Sequence, residues 1–344
     1  MKWIRWSFVV AVGLLLVVAG VVILIFTGWK AERVDELACG SRVANTANGP
    51  VEYAVSGEGK AVLVLHGAPG GYDQALVIGK TLAAAGFRVI APSRPGYLRT
   101  PLETGLFFSE QADLMGALLD ELKINSVSVV GFSAGASTAV SFAQAFPHRT
   151  RSVVLISPLS QTSDLNPSDE RTSILLEEET LMRTTGDMGS WALAEGVKRV
   201  PRHIADAILS IDSDLEESER RNVVDALLES DERMAFLEDF LMTLAPLSGR
   251  ESGTRNDLLM LKAGAQMDFS NVEMPVLVVE GRSDATPEWT DLDRAVESAP
   301  NARHYEVEDA GRLVWLGPNA EEVDSTILSF LRGDESPENE AEVP

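Results

Sequence analysis

Hydrophobic residues follow two different patterns along the chain, and the first is a single uninterrupted run near the N-terminus. Residues 8–26 read FVVAVGLLLVVAGVVILIF and contain no charged or strongly polar side chain. As a helix this run would be about 28 Å long, close to the ~30 Å hydrocarbon core of a bilayer. Secretory signal peptides usually have a shorter apolar stretch of about 7–15 residues followed by a small-residue cleavage site, which is absent here. The run therefore predicts an uncleaved transmembrane anchor over residues 1–29.

The charges beside this run indicate its orientation. Lys2 and Arg5 precede it together with the terminal amine, whereas Lys30 and Arg33 follow it. Basic residues are enriched on the cytoplasmic side of membrane spans. We therefore expect a single-pass membrane protein with a cytoplasmic N-terminus, a linker over residues 30–50, and an extracytoplasmic remainder.

The second pattern is an alternation of short apolar runs with longer amphipathic stretches. Buried strands are predicted at residues 61–66, 88–93, 126–131, 151–157 and 275–281, with a last one near 303–308. Helical spacing is present at residues 73–86, 109–123, 134–146 and 320–332. Regular strand–helix alternation is typical of α/β proteins with a mostly parallel central sheet and helices on both faces.

Residues 161–272 interrupt the alternation, because they contain helical stretches and no convincing β run. The core pattern resumes with the strand at 275–281, which favours a helical cap inserted into the core over a separate helical domain. The predicted core is therefore residues 51–160 and 273–332. Residues 333–344 are acidic and contain proline, which predicts a disordered tail.

Composition narrows the classes of partner. The 344 residues include 52 Asp and Glu against 29 Lys and Arg, a formal net charge of −23. Such a surface argues against nucleic acid as a partner, because phosphate binding requires clustered basic residues. A single cysteine, Cys39, excludes an intramolecular disulfide, and with only four histidines it argues against a structural zinc cluster.

The strongest chemical signal is the sequence VVGFSAGAST at residues 129–138, in which a predicted strand leads directly into a predicted helix. A serine in a sharp strand-to-helix turn presents its hydroxyl at the carboxyl edge of the sheet, and small residues on either side allow the backbone to make that turn. Ser133 is therefore the candidate nucleophile.

A second glycine-rich turn, HGAPGG at residues 66–71, directly follows the strand at 61–66. Acyl transfer requires two backbone N–H donors directed at the developing oxyanion. The amides of Ala134, after the serine, and Ala68, in this turn, are the candidate donors. In this arrangement we expect His66 to stabilise the turn rather than to take part in catalysis.

From about residue 51 to residue 331 the chain resembles the α/β-hydrolase superfamily, on the motifs HGAPGG, SRPGY (93–97), GFSAGA and EGRSDATP (280–287). The resemblance implies that fold, a small-molecule acyl substrate and no metal or organic cofactor. Members carry the acid of the catalytic triad in a Gly-x-x-Asp after the penultimate strand, which here assigns that role to Asp284. They carry the triad histidine after a glycine in the loop that follows the last strand.

At that last position this sequence departs from the family, because Gly311 is followed by Arg312. An arginine remains protonated at neutral pH and cannot accept a proton from a serine. Two other histidines, His203 in the cap and His66 in the oxyanion turn, are candidate substitute bases. His148 and His304 are expected at the wrong edge of the sheet. Arg312 is also expected to form an ion pair with Asp284.

Two functions remain open from the sequence. The first is a membrane-anchored serine hydrolase that cleaves an ester or related acyl bond. The alternative is a catalytically impaired member of the same fold that serves a binding or scaffolding role, because Arg312 replaces the triad histidine.

Overall fold

The computed structural model describes residues 2–159, 186–262, 269, 271–285, 296 and 301–334. It divides into two units, residues Met1–Gly40 and Ser41–Pro344. The first unit is one long helix, α1 (Lys2–Cys39). Within the described residues it is the one helix long and apolar enough to cross a membrane, with a mean hydropathy of 3.3 over its most apolar stretch.

The second unit is built on an eight-stranded sheet in the order β1-β2-β4-β3-β5-β6-β7-β8. The strands are β1 (Arg42–Thr46), β2 (Gly49–Ser56), β3 (Lys60–Leu65), β4 (Phe87–Pro92), β5 (Val127–Phe132), β6 (Thr150–Ile156), β7 (Val276–Gly281) and β8 (Ala302–Val307). Strand β2 pairs antiparallel with both β1 and β4, and the remaining neighbours in the sheet pair parallel. The predicted fold class, a mostly parallel α/β sheet, is confirmed.

Where the structure describes this unit, its longer helices are α2 (Tyr72–Ile78), α3 (Lys80–Ala84), α4 (Phe108–Glu121), α5 (Gly135–Ala145), α6 (186–196), α7 (Pro201–Asp212), α8 (Glu217–Leu228), α9 (Asp231–Met242), α10 (Glu251–Lys262) and α11 (Ala320–Arg332). Five of them, α6 to α10, lie between β6 and β7 in the chain, where the cap is predicted. Part of that segment, 160–185, 263–268 and 270, lies outside the described residues.

Alternating residues of the strands supply two apolar cores, one on each face of the sheet. On one face Val62 and Val64 of β3 pack with α2, α3, α11 and helices of the 186–262 segment. On the other face Leu63 and Leu65 of the same strand pack with α4 and α5. A period of two residues sends neighbouring side chains to opposite faces, which is why continuous apolar runs form strands buried on both sides.

The beginning of the second unit differs from the predicted linker over residues 30–50. Helix α1 continues to Cys39, and β1 occupies residues 42–46. Strand β1 is an edge strand with one buried side chain, Ala44, so no apolar run marks it in the sequence. The helix predicted over residues 73–86 is divided at Gly79, where an added Cβ would lie 2.8 Å from Val89 Cγ1.

Candidate active site

Ser133 lies directly after β5 in a sharp turn that leads into α5. Its φ is +50°, in the left-handed region that non-glycine residues rarely adopt, and the residue is 4% exposed. The Ser133 N–H donates to the carbonyl of Ile156 at 2.9 Å. An added Cβ at Gly131 would lie 2.7 Å from Ala136 Cα, and one at Gly135 would overlap backbone carbonyls of β3 and the next residue. The small residues are therefore required for the turn to pass this close to the sheet.

The oxyanion turn lies against this serine. An added Cβ at Gly67 would lie 3.1 Å from Ser133 Cβ and 2.9 Å from the Phe132 ring. Ala134 is fully buried in a small apolar cluster against which Ala68 also packs. The structure thus brings together the serine and the two residues whose amides are the candidate oxyanion donors.

His66 is enclosed beneath this turn. Its Nε2 accepts a hydrogen bond from the Arg94 N–H at 2.9 Å, so its Nδ1 carries the proton and donates to the Gly67 carbonyl at 2.7 Å. Burial, followed by the neighbouring Arg94 cation, lowers the pKa of His66 well below its ordinary value. Both ring nitrogens are occupied by the main chain, so His66 holds the turn in place and has none left to receive the serine proton.

His203 is exposed in the first turn of α7. Asp212, the last residue of that helix, contacts the loop that contains Arg312. A rise of 1.5 Å per residue separates the two residues by about 13 Å along the helix. The structure therefore places His203 apart from the candidate acid and Arg312.

The two remaining histidines are also remote from the carboxyl edge of the sheet. His148 is exposed in a turn immediately before β6, and His304 lies within β8, with its Nε2 3.2 Å from Glu280 Oε2.

Asp284 and Arg312 lie on adjacent loops, after β7 and β8 respectively. Arg312 Nε is 3.6 Å from Asp284 Oδ1, and their side chains are 23% and 10% exposed. The loops touch so closely that a Cβ on Gly281 would overlap the carbonyl of Gly311. The Ser157 hydroxyl, after β6, donates to the Arg312 carbonyl at 2.7 Å. The candidate acid and the residue in the histidine position are thus joined as an ion pair.

Asp212 is a third charged residue of this cluster that the sequence analysis did not identify. Its Oδ2 accepts the Leu313 N–H at 2.9 Å, and its carbonyl accepts the N–H groups of Arg312 and Ala285 at 3.2 and 3.3 Å. Burial raises the pKa of Asp212 to about 7; Arg312 and the Leu313 hydrogen bond oppose this rise, and Asp284 adds to it. No sequence motif marks Asp212. It reaches the site because the 186–262 segment packs against the loops that follow β7 and β8.

Two buried arginines connect the region of α10 to the oxyanion turn. Their ion pairs are not predicted from the sequence. Arg94 forms a bidentate ion pair with Asp257 of α10, in which Arg94 Nη1 lies 2.9 Å from Asp257 Oδ1. The Arg94 Nε–H also donates a hydrogen bond to the His66 carbonyl at 2.9 Å. Arg250 pairs in the same way with Asp73 at 2.8 and 3.0 Å and donates to the Gly70 carbonyl at 2.7 Å. Arg94 stands in the SRPGY motif, but no periodicity reveals its distant partner.

Among the residues that the structure describes, no three His, Cys, Asp or Glu side chains form a group that could hold a metal ion. The site itself contains a serine hydroxyl, the neighbouring backbone amides, and a cluster of one arginine with two aspartates.

Comparison with known proteins identifies similar chains. The model of the alpha/beta hydrolase fold family matches residues 60–316. The uncharacterized hydrolase YcgS of Bacillus subtilis (strain 168) is 28% identical over 291 residues, covering 82% of this chain and 95% of that protein. A 2-hydroxy-6-oxo-6-phenylhexa-2,4-dienoate hydrolase of Burkholderia cepacia is 27% identical over 184 residues, covering 45% of this chain and 62% of that protein.

Solved structures with the same fold include an alpha/beta hydrolase fold protein from Nakamurella multipartita, with a TM-score of 0.75 and 24% identity over 86% of this chain and all of that one. The enol-lactonase from Burkholderia xenovorans LB400 has a TM-score of 0.59 and 19% identity, over 85% of this chain and 100% of its own. At these identities the likeness concerns the fold.

Proposed function

The chain belongs to the α/β-hydrolase fold family, and on that premise we propose that it is a membrane-anchored serine hydrolase that cleaves an ester or related acyl bond. The observation that carries the proposal is the φ of +50° at Ser133. A non-glycine residue in this region costs on the order of 1–3 kcal/mol, and such strain is concentrated at functional sites. A serine that only filled space would be replaceable by glycine without that cost.

The proposed chemistry uses the groups around Ser133. Its Oγ attacks the acyl carbon, and the N–H groups of Ala68 and Ala134 stabilise the oxyanion that develops. Removing one oxyanion donor from a serine protease costs about 10²–10³ in turnover, which indicates how much a preformed hole contributes. The serine proton passes to water, and collapse of the tetrahedral intermediate breaks the bond from the acyl carbon to the leaving oxygen, which departs as an alcohol after taking a proton from water. A second water molecule hydrolyses the acyl-enzyme, which releases the free acid and restores the Ser133 hydroxyl.

The presence of Arg312 in place of a histidine determines the turnover rate that we expect of this site. In relatives the position after the glycine supplies a general base, whereas here it supplies a cation paired with Asp284. Among the described residues the Ser133 hydroxyl has no hydrogen-bond partner. Losing the histidine of a serine protease costs on the order of 10⁶ in turnover, with residual catalysis from the oxyanion hole and binding. We therefore expect slow acyl transfer rather than rapid turnover.

The same ion pair favours a second candidate function, a binding or scaffolding role on the hydrolase fold. A guanidinium paired with the Asp284 carboxylate, and near enough to Asp212 to influence its pKa, occupies the place of a base without being able to serve as one. Under this alternative the site binds an acyl compound and releases it unchanged.

The substrate class follows from the site and the relatives together. One relative is a hydrolase of 2-hydroxy-6-oxo-6-phenylhexa-2,4-dienoate and one structural neighbour is an enol-lactonase. We propose a small-molecule acyl substrate, with simple esters and enol-lactones as the first compounds to assay. Helix α1 would anchor the protein in the membrane with its N-terminus in the cytoplasm and the hydrolase unit outside.

A fluorophosphonate probe, which forms a covalent bond only with an activated serine, distinguishes the two functions. The full chain in detergent is labelled alongside Ser133→Ala and Arg312→His variants. For a hydrolase we expect slow labelling of the wild type, none of Ser133→Ala, and labelling at least about tenfold faster of Arg312→His, because a base is restored. An unlabelled wild type with a labelled Arg312→His variant would contradict the enzyme and support the binding role.

A further inference from the structure

A cavity whose lining does not include Ser133 lies between helices α2, α3, α9 and α11. Its volume is about 600 Å³, within the range of small-molecule sites. We refer to it as the acidic pocket. Its lining includes Ile78, Thr81, Glu232, Phe236, Trp315 and Asp324.

The apolar wall of the acidic pocket is aromatic. The rings of Phe236 and Trp315 are tilted against each other with centroids 5.0 Å apart. Aromatic faces carry negative electrostatic potential and attract cations that approach within about 6 Å of the ring centre. The wall therefore suits a ligand that combines a planar apolar body with a positive charge.

The floor carries a carboxylate that is stabilised by neutral groups alone. Asp324 Oδ2 accepts the Thr81 hydroxyl at 2.8 Å, and Oδ1 accepts the Trp315 Nε1–H at 3.0 Å. Asp324 forms no ion pair within the described part of the chain. Burial, with a further contribution from Glu232, raises its pKa, against the two hydrogen bonds. A partly buried carboxylate without a counter-cation is costly, and a bound cation removes that cost.

Two basic side chains, Lys80 and Arg233, also line the pocket, and both have partners. Lys80 Nζ lies 2.9 Å from Asp239 Oδ2, and the Arg233 guanidinium donates to the carbonyls of Gly317 and Ala226. At the rim the carboxylates of Glu229, Glu232 and Glu321 likewise have no ion-pair partner among described residues. Five carboxylates line the cavity against these two cations, so the net charge of the lining is negative.

We propose that the acidic pocket binds a primary arylalkyl- or alkylammonium compound, with its ammonium group on the Asp324 carboxylate and its apolar body against Phe236 and Trp315. An ammonium group has three donors and no acceptor, which matches a carboxylate flanked by carboxylates. This site is independent of whether Ser133 reacts.

The test uses benzylammonium chloride as the probe and benzyl alcohol, which has the same ring without the charge, as its neutral counterpart. Binding to the full chain in dodecyl maltoside is measured by isothermal titration calorimetry, with micelles alone as the blank. We expect benzylammonium to bind and benzyl alcohol to bind at least about tenfold more weakly. Added salt should weaken the rim contribution, because exposed charges are screened.

Asp324→Asn removes the charge but keeps one acceptor oxygen for the Trp315 N–H, while its amide N–H can donate to the Thr81 hydroxyl, which also accepts. We expect this variant to weaken benzylammonium binding about tenfold, and Glu232→Gln at the rim about threefold. Asp113→Asn, an exposed change on α4 outside the pocket, is the matched control and should bind as the wild type does. Absence of benzylammonium binding, equal binding of the alcohol, or unchanged binding in both pocket variants would overturn the proposal. Fluorophosphonate labelling of Ser133 is measured in a separate experiment. Failure of the proposed hydrolase activity and failure of the proposed ammonium site can therefore be told apart.

Discussion

One residue, Arg312, determines how far this site departs from the family to which the chain belongs. The nucleophile turn and the oxyanion turn are complete, and Asp284 lies on the expected loop. The guanidinium in the histidine position is paired with that acid at 3.6 Å. Under the proposed function, Arg312→His is therefore the single substitution that would supply the base this site lacks.

The second decisive residue is Asp212, whose titration links the cluster to stability. In the folded chain its pKa is about 7, whereas an unfolded aspartate has a pKa of about 3.9. Between these values the folded state holds a proton that the unfolded state has released. The free energy of unfolding should therefore fall as the pH rises from about 4 to about 7. The shift corresponds to roughly 4 kcal/mol before solvent screening, and we expect about 1–3 kcal/mol because the residue is partly exposed.

We predict that Asp212→Asn reduces this pH dependence, because an amide keeps the acceptor for the Leu313 N–H but does not ionise. Urea unfolding at pH 5 and pH 8 should show the difference between the two pH values shrinking by about 1–3 kcal/mol in the variant. The exposed Asp113→Asn variant supplies the control, with the wild-type difference retained. If Asp212→Asn and the wild type lose stability equally between the two pH values, the carboxyl does not titrate as described.

Residues in motifs could be predicted from the sequence, whereas residues brought in by distant segments could not. Ser133 and Arg312 each stand at a fixed spacing from a strand, and the sheet then fixes their neighbourhood. Asp212 and Asp257 belong to helices between β6 and β7, and their sites are set by tertiary packing that no local period encodes. His66 was expected to stabilise the turn, and its two main-chain hydrogen bonds are consistent with that prediction.

At the scale of elements, the strands that could be predicted are those that form an unbroken run of apolar residues. The strands β3 and β5 are buried along nearly their whole length and are therefore visible as unbroken apolar runs. Edge strand β1 buries Ala44 alone, and its pairing with β2 depends on backbone hydrogen bonds that leave no mark in composition. Helices α2 and α3 are divided at Gly79, where the backbone packs closely against Val89. This division likewise depends on tertiary packing.

Helix α10 depends on a buried ion pair, which allows its attachment to be tested. Arg94 and Asp257 are 0% and 1% exposed, so removing one partner leaves an uncompensated buried charge, at a cost of about 3–5 kcal/mol. We predict that Asp257→Leu is severely destabilising. The double variant Arg94→Met/Asp257→Leu should be less destabilised than the sum of its single variants by about 2 kcal/mol.

Thermal and urea unfolding of the three variants measures this coupling. The exposed pair Arg202–Asp225, with side chains 54% and 51% accessible, provides a comparison in which Asp225→Asn should change stability by less than about 0.5 kcal/mol. Strictly additive losses at Arg94 and Asp257 would show that the pair contributes nothing beyond the separate side chains.

On the scale of the whole molecule, the charge and the apolar helix belong to separate units. The unit Met1–Gly40 contains α1, and the unit from Ser41 onward contains the sheet and its site. The net charge of −23 keeps a large surface hydrated, whereas α1 is long and apolar enough to cross a membrane. This division is the physical basis for proposing an anchor.

The proposed orientation can be tested at one atom, because the chain has a single cysteine at the end of α1. Cys39 is exposed and follows the apolar stretch, so an N-terminus in the cytoplasm places its thiol outside the membrane. We predict that a membrane-impermeant maleimide labels Cys39 in right-side-out vesicles as fully as it does after detergent lysis. Cys39→Ser should remain unlabelled in both conditions. Labelling that appears only after lysis would show the opposite orientation. A mature protein whose mass is below the 37.1 kDa of the intact chain by the mass of residues 1–40 would show that the helix is a cleaved signal peptide and not an anchor.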